Sequence, residues 1–128
     1  MTEAVNRPPM SFTMEAAGFV RLSWAPGLQI TGDMASEAVH GLAVVCEGRR
    51  MPMLVDMTGT AVLTRPARVV FTEKSSASRI ALLGKSAVDR VIANFYLGVS
   101  GTPVPTRFFT SEPLAIAWLT NPGDAREP

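Results

Sequence analysis

Two short apolar segments in the middle of the chain constrain its fold most strongly. Residues 51–57 and 80–83 are almost entirely apolar, and the only charged residue in them is Asp56. Runs of this length are typical of strands that are buried on both faces, as in a parallel sheet. Helical spacing follows each run and supplies the crossover that parallel strands need. The sequence therefore predicts an α/β fold with a mostly parallel central sheet that is covered by helices.

The rest of the pattern completes this architecture. Phe12, Met14 and Ala16 alternate with polar residues, and so do Val20, Leu22 and Trp24, which together predict an N-terminal hairpin. Helices are predicted over residues 33–47, 65–76 and 86–97 and after Ser111, and a last strand over 106–110. Thr64, Ser86 and Ser111 are the predicted caps of the last three helices, and Asp89, three residues after Ser86, resembles a capping box. The order is β-β-α-β-α-β-α-β-α. Residues 10–120 form one domain, with flexible termini at 1–9 and 121–128.

Two helices have apolar faces that the spacing assigns to the interior. Val88, Val91, Ile92 and Phe95 are predicted to form the buried face of the third helix, and Leu114, Ala117 and Trp118 that of the fourth. A second apolar stripe on the third helix is a candidate self-association surface, because a helix that is apolar on two sides is deeply buried or docks on something. That stripe consists of Ala93, Tyr96 and Leu97.

Composition excludes several classes of protein. Among 128 residues there are one Cys and one His, which argues against a disulfide framework and a Cys/His zinc site. We expect no metal and no cofactor. No unbroken apolar stretch reaches the length of a membrane span, and the first residues lack the apolar core of a signal peptide. The sequence therefore predicts a cytoplasmic protein.

The middle of the chain is basic, although the net charge is +1. Residues 49–107 contain nine basic and three acidic side chains, which leaves nucleic acid or phosphate binding open. No more than two basic residues are adjacent, and no aromatic platform interleaves them. Ordinary solvated charge is the favoured interpretation, and nucleic acid is an unlikely partner.

Three catalytic or nucleotide-binding motifs fail on spacing. GKS at 84–86 lacks the glycine five positions before Gly84 that a phosphate-binding loop requires. GVSG at 98–101 lacks the second glycine of a nucleophile elbow. His40 and Cys46 lie six positions apart on one helix, so that their side chains diverge. We therefore expect no catalytic residue.

The end of the first apolar strand is the best candidate site. Ligands of open α/β sheets bind outside the carboxyl ends of the strands, and Asp56 lies at such an end. The apolar loop 59–63 follows, and it either rims a pocket or packs under the sheet. Asp56, Thr58, Thr60, Thr64 and Arg65 are the candidate rim for a ligand or partner.

Three segments resemble the SpoIIAA-like branch of the STAS superfamily, a group also labelled STAS/SEC14-like. They are LVDMTG at 54–59, IANFYLG at 92–98 and PTRFFTSEPLAIAWL at 105–119. The resemblance implies a small cytosolic domain without known catalysis that binds partner proteins. Some relatives are switched by phosphorylation of a serine, but Arg65 and Pro66 occupy the corresponding positions here. Thr58, Thr60 and Thr64 remain candidate phosphorylation sites.

These observations favour two functions over the others. The first is a non-enzymatic binding or regulatory domain that acts through protein–protein contacts, as a homodimer or with a regulatory partner. The alternative is binding of a small apolar ligand, which the likeness to lipid-carrying SEC14 domains and the seven methionines favour. Nucleic-acid binding ranks third, and an enzyme with Cys46 as nucleophile ranks last.

Overall fold

The computed structural model describes residues 4–7, 10–74, 77–97 and 104–120. In this part of the chain the strands are β1 (Ala4–Arg7), β2 (Met10–Glu15), β3 (Phe19–Trp24), β4 (Gln29–Ile30), β5 (Pro52–Asp56), β6 (Val62–Leu63), β7 (Arg79–Leu83) and β8 (Thr106–Phe109). The helices are α1 (Gly32–Cys46), α2 (Arg65–Lys74), α3 (Ala87–Leu97) and α4 (Glu112–Thr120). Of these described helices, none has the length and apolar character needed to cross a membrane.

Six strands form one sheet in the order β1-β2-β3-β5-β7-β8. β1, β2 and β3 pair antiparallel, whereas β3, β5, β7 and β8 run parallel to one another. β5 lies beside β7 with Met53 opposite Ile80 and Val55 opposite Leu82. The α/β fold and the parallel pairing of the two apolar segments are therefore confirmed.

Alternation along the parallel strands supplies a core on each face of the sheet. Met53 and Val55 of β5 pack on the face covered by α1, α2 and α3, and Leu54 packs on the face covered by α4. β7 divides in the same way, with Ile80 and Leu82 on the first face. Burial on both faces is why these strands read as continuous apolar runs.

Hydroxyl side chains begin several of the helices. The Thr31 hydroxyl, which the sequence does not single out, accepts from the amide of Met34 at the start of α1. At the start of α3, the Ser86 hydroxyl accepts from the Asp89 amide at 3.1 Å, and the Asp89 carboxylate accepts from the Ser86 amide at 3.2 Å. This reciprocal pair satisfies amides that have no partner within the helix.

The ends of the chain differ in part from the prediction. Residues 1–9 are predicted as a flexible terminus, but Ala4–Arg7 pairs with β2 as an edge strand. β3 pairs with only one edge of β2, so the backbone groups on the other edge of β2 can pair with Ala4–Arg7. The sequence also misses β4 and β6, which pair parallel to each other outside the main sheet. The predicted tail at 121–128 lies outside the described residues.

The assigned face of α3 is wrong in part, because Ile92 packs against the core as predicted but Val88 and Val91 do not. Val88 and Val91 are 61% and 65% exposed, whereas Asp89 and Ala93 are buried. The buried Asp89 carboxylate binds backbone amides and thereby fixes the rotation of the helix, which periodicity of apolar residues alone does not reveal. The Phe95 side chain lies outside the described residues.

The assigned face of α4 is wrong in part. Trp118 is buried as predicted, but Leu114 and Ala117 are exposed, and Ala115 and Leu119 take their places. Trp118 contacts the Arg79 guanidinium of β7 at 4.3 Å from its ring centroid. Ala115 and Leu119 join Trp118 in one cluster with Leu54 and Leu83 of the sheet, and this cluster defines the buried side of the helix.

Candidate functional site

An apolar cavity of about 60 Å³ lies between the sheet and the helices α2 and α3. It is lined by Trp24, Ile30, Met53, Val55, Met57, Thr60, Leu63, Phe71, Ile80, Leu82, Ile92 and Ala93. Thr60 is the one polar residue in that lining. Native cores are packed to the density of organic crystals, so an apolar space of this kind is a candidate ligand site.

Strand alternation and one small residue create the cavity. Met53 and Val55 of β5 form its floor together with Ile80 of β7. On α3 the position that faces this floor is Ala93, which is 1% exposed and too short to fill the space. The sheet therefore forms a broad floor, and the Ala93 side chain of α3 fills little of the space above it.

The mouth of the cavity lies where its lining meets solvent. Leu63, Phe71 and Ile92 are partly exposed lining residues on β6, α2 and α3. The other lining residues are buried. A ligand would therefore enter between the loop before α2 and the outer ends of these side chains.

The hydroxyl of Thr60 is buried beside the cavity without a hydrogen-bond partner. Thr60 is 2% exposed, and its Oγ1 neither donates to nor accepts from another group of the described chain. An unsatisfied buried hydroxyl costs about 1–3 kcal/mol. Groups of this kind call for an explanation, and a ligand that bonds to the hydroxyl is one.

The loop that carries Thr60 is held by its backbone. The Thr60 amide donates to the Met57 carbonyl at 3.0 Å, and the Ala61 amide donates to the Leu28 carbonyl at 2.9 Å. The adjacent Gly59 has φ +78°, and a Cβ there would lie 2.9 Å from the Pro26 Cβ. Only glycine suits both requirements, so the position of Thr60 is fixed by its surroundings.

Asp89 ties this loop to the start of α3. Its carboxylate accepts from the amides of Lys85 at 2.7 Å, Ser86 at 3.2 Å and Gly59 at 3.1 Å. Burial raises the pKa of the Asp89 carboxyl, but these hydrogen bonds outweigh it, so the pKa lies below its ordinary value. The serine and aspartate spacing predicts the helix cap, whereas no sequence signal predicts the bond to Gly59, 30 positions away.

Of the five predicted rim residues, the structure brings Thr60 to the cavity. Asp56 accepts from the amide of Thr58 at 3.1 Å and so shapes the loop. The Thr58 hydroxyl is buried without a partner. Thr64 begins α2, with its hydroxyl donating to the Ile30 carbonyl at 2.8 Å and accepting from the Ala67 amide. Arg65 is exposed.

One of the three residues of the candidate self-association surface is placed differently from the prediction. Ala93 lines the cavity and is not available to a second copy. Tyr96 and Leu97 belong to α3, but their side chains lie outside the described residues. Among the side chains of this helix that the structure describes, the exposed large apolar ones are those of Val88 and Val91.

The other reactive side chains lie away from the cavity lining. Cys46, the last residue of α1, is buried in the core, and burial raises the pKa of its thiol against the opposing effect of Arg49. His40 is exposed. No three His, Cys, Asp or Glu side chains come together to hold a metal in the part of the chain that is described.

Several arginines of the basic segment contact the protein itself. Arg68 and Arg79 are buried. Arg90 lies over the Phe108 ring and Arg107 over the Phe109 ring, at 4.9 and 5.2 Å from the ring centroids. At least part of the positive charge of this segment therefore interacts with groups of the protein itself.

A family model described as a domain of unknown function, DUF7793, matches residues 12–122. The chain belongs to the DUF7793 family. Among curated proteins, none matches it. A solved protein of unknown function from Arthrobacter sp. FB24 is 48% identical, with 90% of this chain and 95% of that chain covered and a TM-score of 0.38.

A second solved structure establishes the fold of this DUF7793 chain. It is an uncharacterised protein of the DUF3478 family with a SpoIIAA-like fold, from Shewanella loihica PV-4. The two chains are 18% identical, the match covers 93% of this chain and 92% of that one, and the TM-score is 0.52. The predicted SpoIIAA-like fold is confirmed.

Thr60→Val is expected to stabilise the protein by about 1 kcal/mol, because it removes a buried hydroxyl that has no partner. Thr64→Val is the matched control and should destabilise by about 1 kcal/mol, since the Thr64 hydroxyl caps α2. Urea denaturation followed by circular dichroism measures both changes. A loss of stability in Thr60→Val as large as that in Thr64→Val would show that the Thr60 hydroxyl has a partner.

Proposed function

We propose that this domain is a non-enzymatic binding domain whose ligand is a small apolar molecule held in the cavity. The observation that carries the proposal is an apolar space whose lining includes the partly exposed Leu63, Phe71 and Ile92 and the residue Thr60, whose buried hydroxyl has no partner. Ligand pockets are commonly apolar with a small number of placed polar groups. An empty cavity loses dispersion contacts that a ligand would restore.

The lining of the cavity favours binding over catalysis. None of its residues carries a side chain that titrates or attacks as a nucleophile, apart from the neutral hydroxyl of Thr60. General acid–base chemistry needs a titratable group within hydrogen-bond reach of the reacting atom. The resemblance to SpoIIAA-like domains, which implies no known catalysis, supports the same conclusion.

Native mass spectrometry of gently purified, untagged protein tests the proposal. We expect a folded species whose mass exceeds that of the polypeptide by one small molecule. Ala93→Leu should abolish the added mass, because the larger side chain fills the cavity from α3. Val88→Leu changes the exposed side of the same helix and should keep it.

The result with Ala93→Leu decides the assignment of the cavity. A folded Ala93→Leu protein that retains the added mass would place the ligand elsewhere. Wild-type protein with no added mass, and no small molecule in an organic extract, would count against a resident ligand. Circular dichroism of both variants verifies that each is folded before the masses are compared.

Protein–protein contact is the second candidate function, and the exposed side of α3 favours it. Val88 and Val91 lie one helical turn apart and are both exposed. The neighbouring Arg90 is drawn onto the Phe108 ring. An apolar patch is complementary to itself, so a second copy of this chain is the partner that we propose.

Sedimentation equilibrium tests this second candidate. The wild type should associate as its concentration rises, and Val91→Asp should remain a monomer over the same range. Val69→Asp, at an exposed valine of α2, is the control and should associate like the wild type. Monomeric wild type throughout would contradict self-association through this face.

A further inference from the structure

The cavity also specifies the chemistry of what it binds, an inference that rests on the proposed function. We propose that the ligand is an uncharged molecule with a compact apolar body and one hydroxyl or carbonyl group, and that this group hydrogen-bonds to the Thr60 hydroxyl. The proposal joins three observations, which are the unpartnered Oγ1, the uncharged lining and the small volume.

The Thr60 hydroxyl fixes the polar group of the ligand. A threonine hydroxyl donates one hydrogen bond and accepts others, so either a carbonyl or a hydroxyl satisfies it. The backbone that carries it is fixed before binding, because the amides of Thr60 and Ala61 donate to the carbonyls of Met57 and Leu28. A ligand that bonds to the hydroxyl therefore does not have to order the loop.

The lining excludes charge on the ligand. It contains no acidic or basic side chain to pair with an ion. The nearby loop anchor Asp89 has its carboxylate occupied by the amides of Gly59, Lys85 and Ser86. Burial of an unpaired charge costs far more than burial of a hydroxyl that is hydrogen-bonded.

The volume limits the apolar body. About 60 Å³ lies between the floor at Met53 and Ile80 and the cover at Ala93. Only a few carbon atoms fit within such a space. The rest of a small ring or branched chain would lie in the mouth at Leu63 and Phe71, where the lining is partly exposed.

Three probes that share one ring test these claims. Cyclopentanol has the proposed hydroxyl, methylcyclopentane replaces it with a methyl group, and cyclopentylammonium replaces it with a charge. Dissociation constants are measured by amide chemical shifts for the wild type, Thr60→Val and Thr60→Ser. The affinity of each probe is compared between the wild type and the variants. The free energy of removing that probe from water is the same in both measurements and therefore cancels.

The expected pattern is specific to the hydroxyl. Thr60→Val should weaken cyclopentanol binding about five- to tenfold, the value of one hydrogen bond. The same variant should leave methylcyclopentane binding within about twofold, and Thr60→Ser should restore cyclopentanol binding to within about twofold of the wild type. Cyclopentylammonium should not bind measurably to any of the three proteins.

The possible failures are distinguishable. If Thr60→Val changes the affinity for cyclopentanol and methylcyclopentane equally, the hydroxyl contact is wrong and the apolar site stands. Cyclopentylammonium binding as tight as that of cyclopentanol would overturn the exclusion of charge. If methylcyclopentane and cyclopentanol shift the wild type no more than Ala93→Leu, the cavity binds neither, and the proposed function falls with the inference.

Discussion

Asp89→Ala is expected to lower the free energy of unfolding by about 3 kcal/mol, since it leaves several buried amides without an acceptor. The carboxylate accepts from Gly59, Lys85 and Ser86, and it is 2% exposed. Its removal therefore uncaps α3 and releases the loop that carries Thr60. Urea denaturation of the two proteins at pH 7, followed by circular dichroism, measures the loss.

Two further variants separate the carboxylate from a general effect of mutation. Asp89→Asn keeps one acceptor oxygen and should lose about half as much stability as Asp89→Ala. Asp33→Ala, at an exposed acid in the first turn of α1, should change stability by less than about 0.5 kcal/mol. The account is wrong if Asp89→Ala is no more destabilising than Asp33→Ala.

The pKa of Asp89 gives the sign of the pH dependence. Because its pKa is lower in the folded protein than its ordinary value, the unfolded chain takes up the proton first as pH falls. The stabilisation is therefore complete above the unfolded pKa, about 4, and is lost as pH falls through the folded pKa. The difference in stability between the wild type and Asp89→Asn should be constant near neutral pH and shrink in acid.

Trp118→Ala is expected to cost about 3–5 kcal/mol, the usual range for removing a buried tryptophan. Trp118 anchors α4 on its face of the sheet, and its ring lies 5.7 Å from that of Phe109 between centroids. The Arg79 side chain lies over the same ring and also donates to the Trp118 carbonyl. Without the indole, α4 loses its main contact and the buried guanidinium loses its stacking partner.

Variants at neighbouring positions show whether the ring itself matters. Trp118→Phe retains an aromatic ring and should cost about 1–2 kcal/mol. Leu114→Ala removes an apolar side chain from the same helix where it is 64% exposed, and should cost less than about 1 kcal/mol. The denaturant concentrations at the unfolding midpoints of the three variants rank their losses of stability. Equal losses in Trp118→Ala and Leu114→Ala would contradict the role of the ring as an anchor.

The sheet could be predicted from the sequence because its signal is local. Apolar runs at β5 and β7 are buried on both faces, and the helix α2 between them leaves parallel pairing as the simple solution. Thr64 and Ser86 could likewise be assigned as caps, since the side chain and the amide that it bonds lie only three positions apart.

The orientation of the helices could not be predicted in this way. On α3, counting apolar residues places Val88 and Val91 inside, but a buried polar anchor at Asp89 turns that face to solvent. The cavity is still less accessible to sequence analysis. Its lining residues are spread along the sequence from Trp24 to Ala93. The cavity exists because α3 presents the small side chain of Ala93 there.

The central claim is that the cavity takes up a small apolar molecule, and methionine methyl groups report on it directly. Of seven methionines, Met53 and Met57 line the cavity, whereas Met10 and Met34 belong to the same core outside the lining. Protein labelled with ¹³C at its methionine methyl groups is titrated with methylcyclopentane. The account predicts saturable shifts of Met53 and Met57 and unchanged signals of Met10 and Met34. Signals that stay fixed for all four, or that move together in proportion to the added hydrocarbon, would contradict it.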